Sequence, residues 1–181
     1  MNLKLSPLGE GYIQVYTGNG KGKTTAALGQ ALRAAGRGLK TFIMMFMKDF
    51  PYGELNSLQS LSRWIRVEQC GNDRFVFRKQ PPGDGDIQAA KLAIKRAREA
   101  MSSGRYDLVI LDEVCVAIHY GLIETVDILS LLREKPVSIE LILTGRYCPY
   151  QLIASADLVT EMQEIKHYYH QGVVARKGIE S

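Results

Sequence analysis

Short apolar runs alternate with amphipathic stretches along most of the chain. Gly11 to Tyr16 (GYIQVY) alternates and is rich in β-favouring residues, which predicts a first strand. A glycine-dense turn then leads into Thr24 to Ala35, where Ala27, Leu28, Ala31, Leu32 and Ala35 recur on one helical stripe; Gly36 and Gly38 end that helix. Lys40 to Phe46 (KTFIMMF) is apolar at successive positions, the pattern of a strand covered on both faces. Ile65 to Glu68, Leu108 to Leu111 and Ile139 to Thr144 predict further strands. Helices are predicted from Ile87 to Met101, on the stripe Ile87, Ala90, Ile94, Ala97 and Met101, and around Thr125 to Arg133. Gln80 to Asp86 (QPPGDGD) is loop chemistry at nearly every position. The stretch from Lys166 to Ser181 is basic and aromatic without periodicity. Strands that alternate with helices, each strand apolar throughout, specify a layered α/β fold with a mainly parallel sheet.

The densest chemistry lies between the first strand and the first helix, in Thr17-Gly18-Asn19-Gly20-Lys21-Gly22-Lys23-Thr24-Thr25. This is the context of a phosphate-binding loop: glycines let backbone N–H groups turn inward around an anion, and the helix N-terminus adds its partial positive charge. Lys23 is placed to reach the terminal phosphates and Thr24 to offer its hydroxyl to Mg²⁺. The run departs from G-x-x-x-x-G-K-[ST] at its first position, Thr17, and carries an extra cation, Lys21. A second signal is Leu108-Val109-Ile110-Leu111-Asp112-Glu113, a buried strand that delivers two carboxylates to the end where such sheets bind ligands. Beside a triphosphate, Asp112 and Glu113 hold Mg²⁺ directly or through its waters. Together the two signals predict a three-layer P-loop NTPase-like (RecA-like) fold that binds a magnesium nucleotide.

Composition narrows the classes further. With 181 residues, 46% hydrophobic and 23% charged, the chain suits a single domain over residues 1–181. The opening MNLKLSPLGEGY has no apolar core of a secretory signal, and the longest apolar run, around Phe42 to Met47, is too short for a membrane span. Cys70, Cys115 and Cys148 are odd in number and widely spaced, which fits reduced thiols in a cytoplasmic protein rather than a disulfide framework or a zinc knuckle. The net charge of +4 suits a polyphosphate site as well as a nucleic-acid partner. Lys91, Lys95, Arg96 and Arg98 read as the solvated face of their helix, so no nucleic acid is expected as partner. Lys48 and Glu54 read as an ion pair, Met44, Met45 and Met47 as strand packing, and His167 and His170 as surface residues.

Residue types alone leave three uses of the nucleotide open. No N-K-x-D guanine reader is present, and no paired cysteines for the structural zinc of a type II thymidine kinase. A small-molecule kinase and a RecA-like ATPase stand beside a transferase that uses ATP differently.

The phosphate loop itself points to the third. GNGKGKTTAALG, Gly18 to Gly29, resembles that of the P-loop ATP:cob(I)alamin adenosyltransferases, including the departures just noted. The resemblance continues through Phe46-Met47-Lys48, Gly53-Glu54, Leu111-Asp112-Glu113, Leu143-Thr144-Gly145-Arg146 and Ala156-Asp157, and closes with Lys166-His167 and Gly172 to Glu180. It implies transfer of the 5′-deoxyadenosyl group of ATP to the Co(I) centre of a corrinoid with release of triphosphate. Gly18, Asn19, Gly20, Lys21, Gly22, Lys23, Thr24, Thr25 and Arg146 would then bind nucleotide, and Lys23, Thr24 and Glu113 would carry catalysis. The family's F-x-W pair has its nearest match in Phe75-Val76-Phe77, which makes Phe75 and Phe77 the candidates for the lower face of the corrin, with two core phenylalanines as the alternative. The family also shows a longer N-terminal segment over the active site, whereas about ten residues precede Gly11 here. A homodimer and an electron-donating reductase are implied by the resemblance as well.

Overall fold

A computed structural model describes residues 8–72, 74 and 80–180. Six strands form one sheet: β1 (Ile13–Thr17), β2 (Thr41–Phe46), β3 (Ile65–Cys70), β4 (Leu108–Asp112), β5 (Glu140–Thr144) and β6 (Leu158–Glu161). Every pairing is parallel, in the order β3-β2-β4-β5-β1-β6. Between the strands run α1 (Lys23–Gly36), α2 (Gly53–Gln59), α3 (Asp84–Ser102), α4 (Val114–His119), α5 (Thr125–Arg133) and α6 (Tyr150–Ser155). None of the described helices is long and apolar enough to cross a membrane.

The continuous apolar runs are explained by the period-2 pleat. In β2, Phe42, Met44 and Phe46 enter one core cluster while Ile43 and Met45 enter another on the opposite face. Val109 and Leu111 of β4 divide from Leu108 and Ile110 in the same way, as do Leu141 and Leu143 of β5 from Ile142. The first face is closed by α3, α4 and α5, the second by α1. The fold therefore has the three-layer, P-loop NTPase-like arrangement that the sequence predicts, with a sheet that is parallel throughout.

Helix α1 sits close on the sheet because its buried face is alanine: Ala27, Ala31, Ala34 and Ala35. Here the predicted stripe needs correction, since Leu32 is 56% exposed and Ala34 takes the buried position. The small residue fits where the helix approaches most closely. Along α3 the predicted stripe holds, and two of its outer cations are paired: Arg96 with Glu68 at 3.0 Å and Arg98 with Glu134 at 2.6 Å. The sequence pattern does not disclose α2, α4, α6 or β6. The three helices, of 7, 6 and 6 residues, are too short for a full apolar period, and all four residues of β6 are exposed.

Candidate nucleotide site

The site forms where β1, β2, β4 and β5 end. Thr17 is the last residue of β1, in register with Glu161 of β6, so its extended backbone needs no glycine. The left-handed turn falls one residue later, at Gly18 with φ 96°. A Cβ there would stand 2.4 Å from the Met162 carbonyl oxygen, so only glycine lets the chain leaving β6 pack on the loop. That packing is cemented by Met162 N–H donating to Thr17 O at 2.8 Å and Gly20 N–H donating to Met162 O at 2.6 Å.

Helix α1 then starts at Lys23 with no side-chain cap and no acidic residue in its first turn. By contrast, Asp86 and Asp127 accept N–H groups at the starts of α3 and α5, at 3.0 and 3.1 Å. The amides at the start of α1 are thus left for an anion. Lys23, 6% exposed, folds back to donate to Gly18 O at 2.7 Å and Gly20 O at 2.8 Å. Burial lowers its pKa, against the pull of Glu113 and Asp112.

Thr24 bridges the loop to β4. Its hydroxyl donates to Asp112 Oδ1 at 2.9 Å, and the hydroxyl of Thr144, fully buried at the end of β5, donates to the same oxygen at 2.7 Å. Thr144 also accepts the Glu113 N–H at 2.9 Å, which ties the end of β4 to that of β5. The second oxygen, Asp112 Oδ2, holds Lys48 Nζ at 2.8 Å. Lys48 therefore pairs with Asp112 and not with Glu54, because the turn after β2 carries it toward the neighbouring β4. Burial works against its charge, but Asp112 first, then Glu113 and Glu54, outweigh that and raise its pKa. Burial, reinforced by Asp112, raises the pKa of Glu113.

The resulting cleft has a volume of about 480 Å³ and is lined by Gly20, Lys21, Gly22, Lys23, Thr24 and Thr25 on one side. Phe46, Met47, Lys48, Tyr52, Glu113, Val116, Tyr120, Arg146, Tyr147, His167 and Glu180 complete it. Three of these, Met47, Glu113 and Tyr147, are non-glycine residues with φ near 60°, each just past the end of β2, β4 or β5. A left-handed conformation costs roughly 1–2 kcal/mol per residue, and its concentration at one cleft marks a functional site. Gly145 completes the strained rim: its φ is 135°, and a Cβ would meet Cys115 Cβ at 2.9 Å.

Most of the predicted residues converge here. Gly18 and Asn19 support the loop from outside the cleft lining, and Asp112 lies beneath it, 1% exposed. Lys21 is engaged by the C-terminal segment, donating to Ile179 O at 2.8 Å. Phe75 and Phe77 lie outside the described residues. Met44, Met45 and Met47 are core as predicted, and Met47 also borders the cleft. His170 pairs with Glu164 at 2.6 Å, but His167, expected at the surface, lines the cleft.

Sequence reasoning missed the aromatic wall of Tyr52, Tyr120 and Tyr147. Tyr147 stacks on His119 with centroids 4.0 Å apart, and Tyr52 lies 5.0 Å from Lys48 Nζ. The C-terminal strap was missed too: Arg176 N–H donates to Glu180 Oε2 at 2.8 Å, its guanidinium pairs with Glu180 at 3.1 Å, and the Tyr168 hydroxyl bonds the same carboxylate. No local motif signals the three tyrosines, and although Gly172 to Glu180 belongs to the family resemblance, its clasp of Arg176, Tyr168 and Glu180 is not legible from the residues alone.

The donor set suits Mg²⁺, which takes hard oxygen ligands and keeps several waters or phosphate oxygens. Thr24 and Glu113 supply such oxygens. Among the described residues no cluster of three or more His, Cys, Asp or Glu side chains could hold a metal by itself.

The same picture emerges from relatives. The family model described as ATP:corrinoid adenosyltransferase BtuR/CobO/CobP matches residues 9–181. The corrinoid adenosyltransferase of Escherichia coli (strain K12) is 35% identical over 171 residues, covering 94% of this chain and 85% of that protein. Corrinoid adenosyltransferase CobA of Salmonella typhimurium is 34% identical over 94% of this chain and 85% of its own length. The corrinoid adenosyltransferase of Pseudomonas aeruginosa is 32% identical over 94% of this chain and 83% of its own length. With that coverage, and with a phosphate loop, paired carboxylates and C-terminal strap that meet at one cleft, the chain belongs to the ATP:corrinoid adenosyltransferase family.

Proposed function

We propose that this chain transfers the 5′-deoxyadenosyl group of ATP to the reduced cobalt of a corrinoid, with release of intact triphosphate. One observation carries the reading: the uncapped start of α1 faces a cleft in which Lys23 is braced on the loop carbonyls and Thr24 is bonded to Asp112, in a chain of this family. The cobalt of the substrate is the nucleophile. Its electron pair forms the bond to C5′ while the C5′–O bond breaks and its electrons leave with the triphosphate. No proton is removed, so the site requires no general base.

The protein's part is positioning and charge neutralisation of the leaving group. The α1 amides and Lys23 receive the triphosphate, and Arg146 on the opposite rim adds a second cation. Thr24 and Glu113 would hold Mg²⁺, which supplies further neutralisation of the departing charge. Asp112, bonded through both oxygens, orients Thr24 and would orient the waters of the ion. Lys21, bonded to Ile179 O, fastens the strap over the loop. Phe75 and Phe77 would face the lower side of the corrin and exclude an axial ligand. A separate electron donor would supply Co(I), and a homodimer, checked by sedimentation, belongs to the same reading.

The decisive experiment is analysis of the phosphate product during corrinoid alkylation. Inorganic triphosphate formed mole for mole with adenosylated corrinoid is the expected result. Stoichiometric ADP would identify a kinase instead, and ADP release stimulated by DNA or RNA a RecA-like ATPase.

A further inference from the structure

We propose that Lys48 is the resident counter-cation of the nucleotide-free site, pairing with Asp112 so that a divalent ion enters only together with a triphosphate. The proposal rests on reading the cleft as a magnesium-nucleotide site.

The geometry begins with Met47, whose left-handed backbone turns the chain at the end of β2. Lys48 follows it and reaches Asp112 Oδ2 at 2.8 Å, with side chains only 12% and 1% exposed. Its ammonium also lies 5.0 Å from the centre of the Tyr52 ring, whose negative face favours a cation there. The cation is therefore held from two sides. Asp112 Oδ1 is already taken by Thr24 and Thr144, so the Lys48 contact leaves neither oxygen of Asp112 without a donor.

Charge balance gives this arrangement a consequence. Asp112 and Glu113 bring two carboxylates to the cleft floor, opposed by the two ammonium groups of Lys48 and Lys23. Lys23 is spent on the carbonyls of Gly18 and Gly20. Lys48 is thus the cation in direct contact with Asp112, while Glu113 feels Lys48, Lys23 and Arg146 only through their charge. Among the described residues no three His, Cys, Asp or Glu side chains cluster here, so a free divalent ion would have to compete with Lys48 for Asp112 with few other charged ligands. A triphosphate changes both terms: it brings oxygen ligands of its own and a negative charge that needs the ion.

Removing Lys48 removes one partner of a buried pair and leaves its carboxylate uncompensated, a situation that a divalent ion relieves. The experiment is Mn²⁺ binding, followed by electron paramagnetic resonance of the free ion, with and without a non-reactive ATP analogue. Wild-type protein without nucleotide should bind Mn²⁺ weakly and gain affinity when the analogue is added. Lys48→Met should bind Mn²⁺ about tenfold or more tightly without nucleotide. Lys48→Arg, which keeps the charge, should return to wild-type behaviour.

A Lys48→Met protein that binds nucleotide-free Mn²⁺ no more tightly than wild type overturns the proposal. So does a wild-type protein that binds Mn²⁺ equally well with and without the analogue, a result that needs no variant. Lys48→Gln replaces the methionine variant if the latter does not fold. No corrinoid or turnover enters the measurement. Its failure leaves adenosyl transfer standing, whereas ADP in the product assay would leave the Mn²⁺ result intact.

Discussion

Replacing Lys23 by methionine keeps the length of the side chain and removes its charge, which separates its contacts within the loop from the phosphate contact proposed for it. In the nucleotide-free protein the ammonium donates to Gly18 O and Gly20 O at 2.7 and 2.8 Å. A net contribution of about 1 kcal/mol per bond gives a loss of roughly 2 kcal/mol when both donors go. Part of that is returned, because burial already disfavours the charged lysine, as its lowered pKa records. A net destabilisation of about 1 kcal/mol corresponds to a fall in Tm of about 2–4 °C for a domain of this size. In the proposed bound state the same ammonium would meet a polyanion, and a charge-assisted contact is worth about 1.5–3 kcal/mol. That corresponds to a Kd for MgATP weakened roughly 10- to 150-fold, toward the lower end because wild-type Lys23 must leave two carbonyls to bind phosphate. Calorimetric titration with MgATP, run beside thermal unfolding without nucleotide, measures both. A variant with unchanged MgATP affinity would refute the phosphate-loop reading. So would one whose affinity falls only as far as its folded fraction does.

Two further outcomes follow from the strap and from the aromatic pair. The Arg176 guanidinium and the Tyr168 hydroxyl hold the Glu180 carboxyl down at about 2, well below the usual glutamate value of about 4.3. A depressed carboxyl pKa contributes above the unfolded value and is lost as pH falls through the folded one. Closure of the strap should therefore persist from neutral pH to pH values near 4 and fade only toward about 2. Carbon NMR of the Glu180 carboxyl checks this, and titration in the ordinary glutamate range would exclude the clasp. For Phe75→Ala and Phe77→Ala, MgATP affinity should stay near wild type while the four-coordinate Co(II) signal formed with ATP shrinks. Stable variants with an undiminished signal would remove both residues from the corrin site, whereas core phenylalanines would cost about 3–5 kcal/mol of stability each on truncation.

Local chemistry was sufficient to read the sheet and the phosphate loop. β2, β4 and β5 are covered on both faces, so their residues are apolar at successive positions and stand out without any knowledge of the partners. The loop is legible for a similar reason: Gly18 to Thr25 is one contiguous segment whose function needs glycines, a lysine and a threonine at fixed spacing. Asp112 and Glu113 end an apolar strand, which again is a local signature. Edge strand β6 and the short helices α4 and α6 give no such signal, because four exposed residues or a turn and a half of helix carry too little hydrophobic period.

The remainder depends on contacts between segments far apart in the chain. Lys48 has Glu54 as its near neighbour in sequence, yet it bonds Asp112, since β2 and β4 lie side by side in the sheet while Glu54 follows on α2. Gly18 looks like any loop glycine until the chain leaving β6 is seen to pass over it within 2.4 Å of where a Cβ would stand. Thr144 reads as the polar end of a buried strand. Only the strand order, which sets β5 between β4 and β1, lets its hydroxyl bond Asp112 and the Glu113 amide, on the same Asp112 oxygen that takes the loop residue Thr24. Hydrophobic period is written along the chain, residue by residue; which polar groups face each other across the sheet ends is fixed by strand order, and that order is a property of the packed whole.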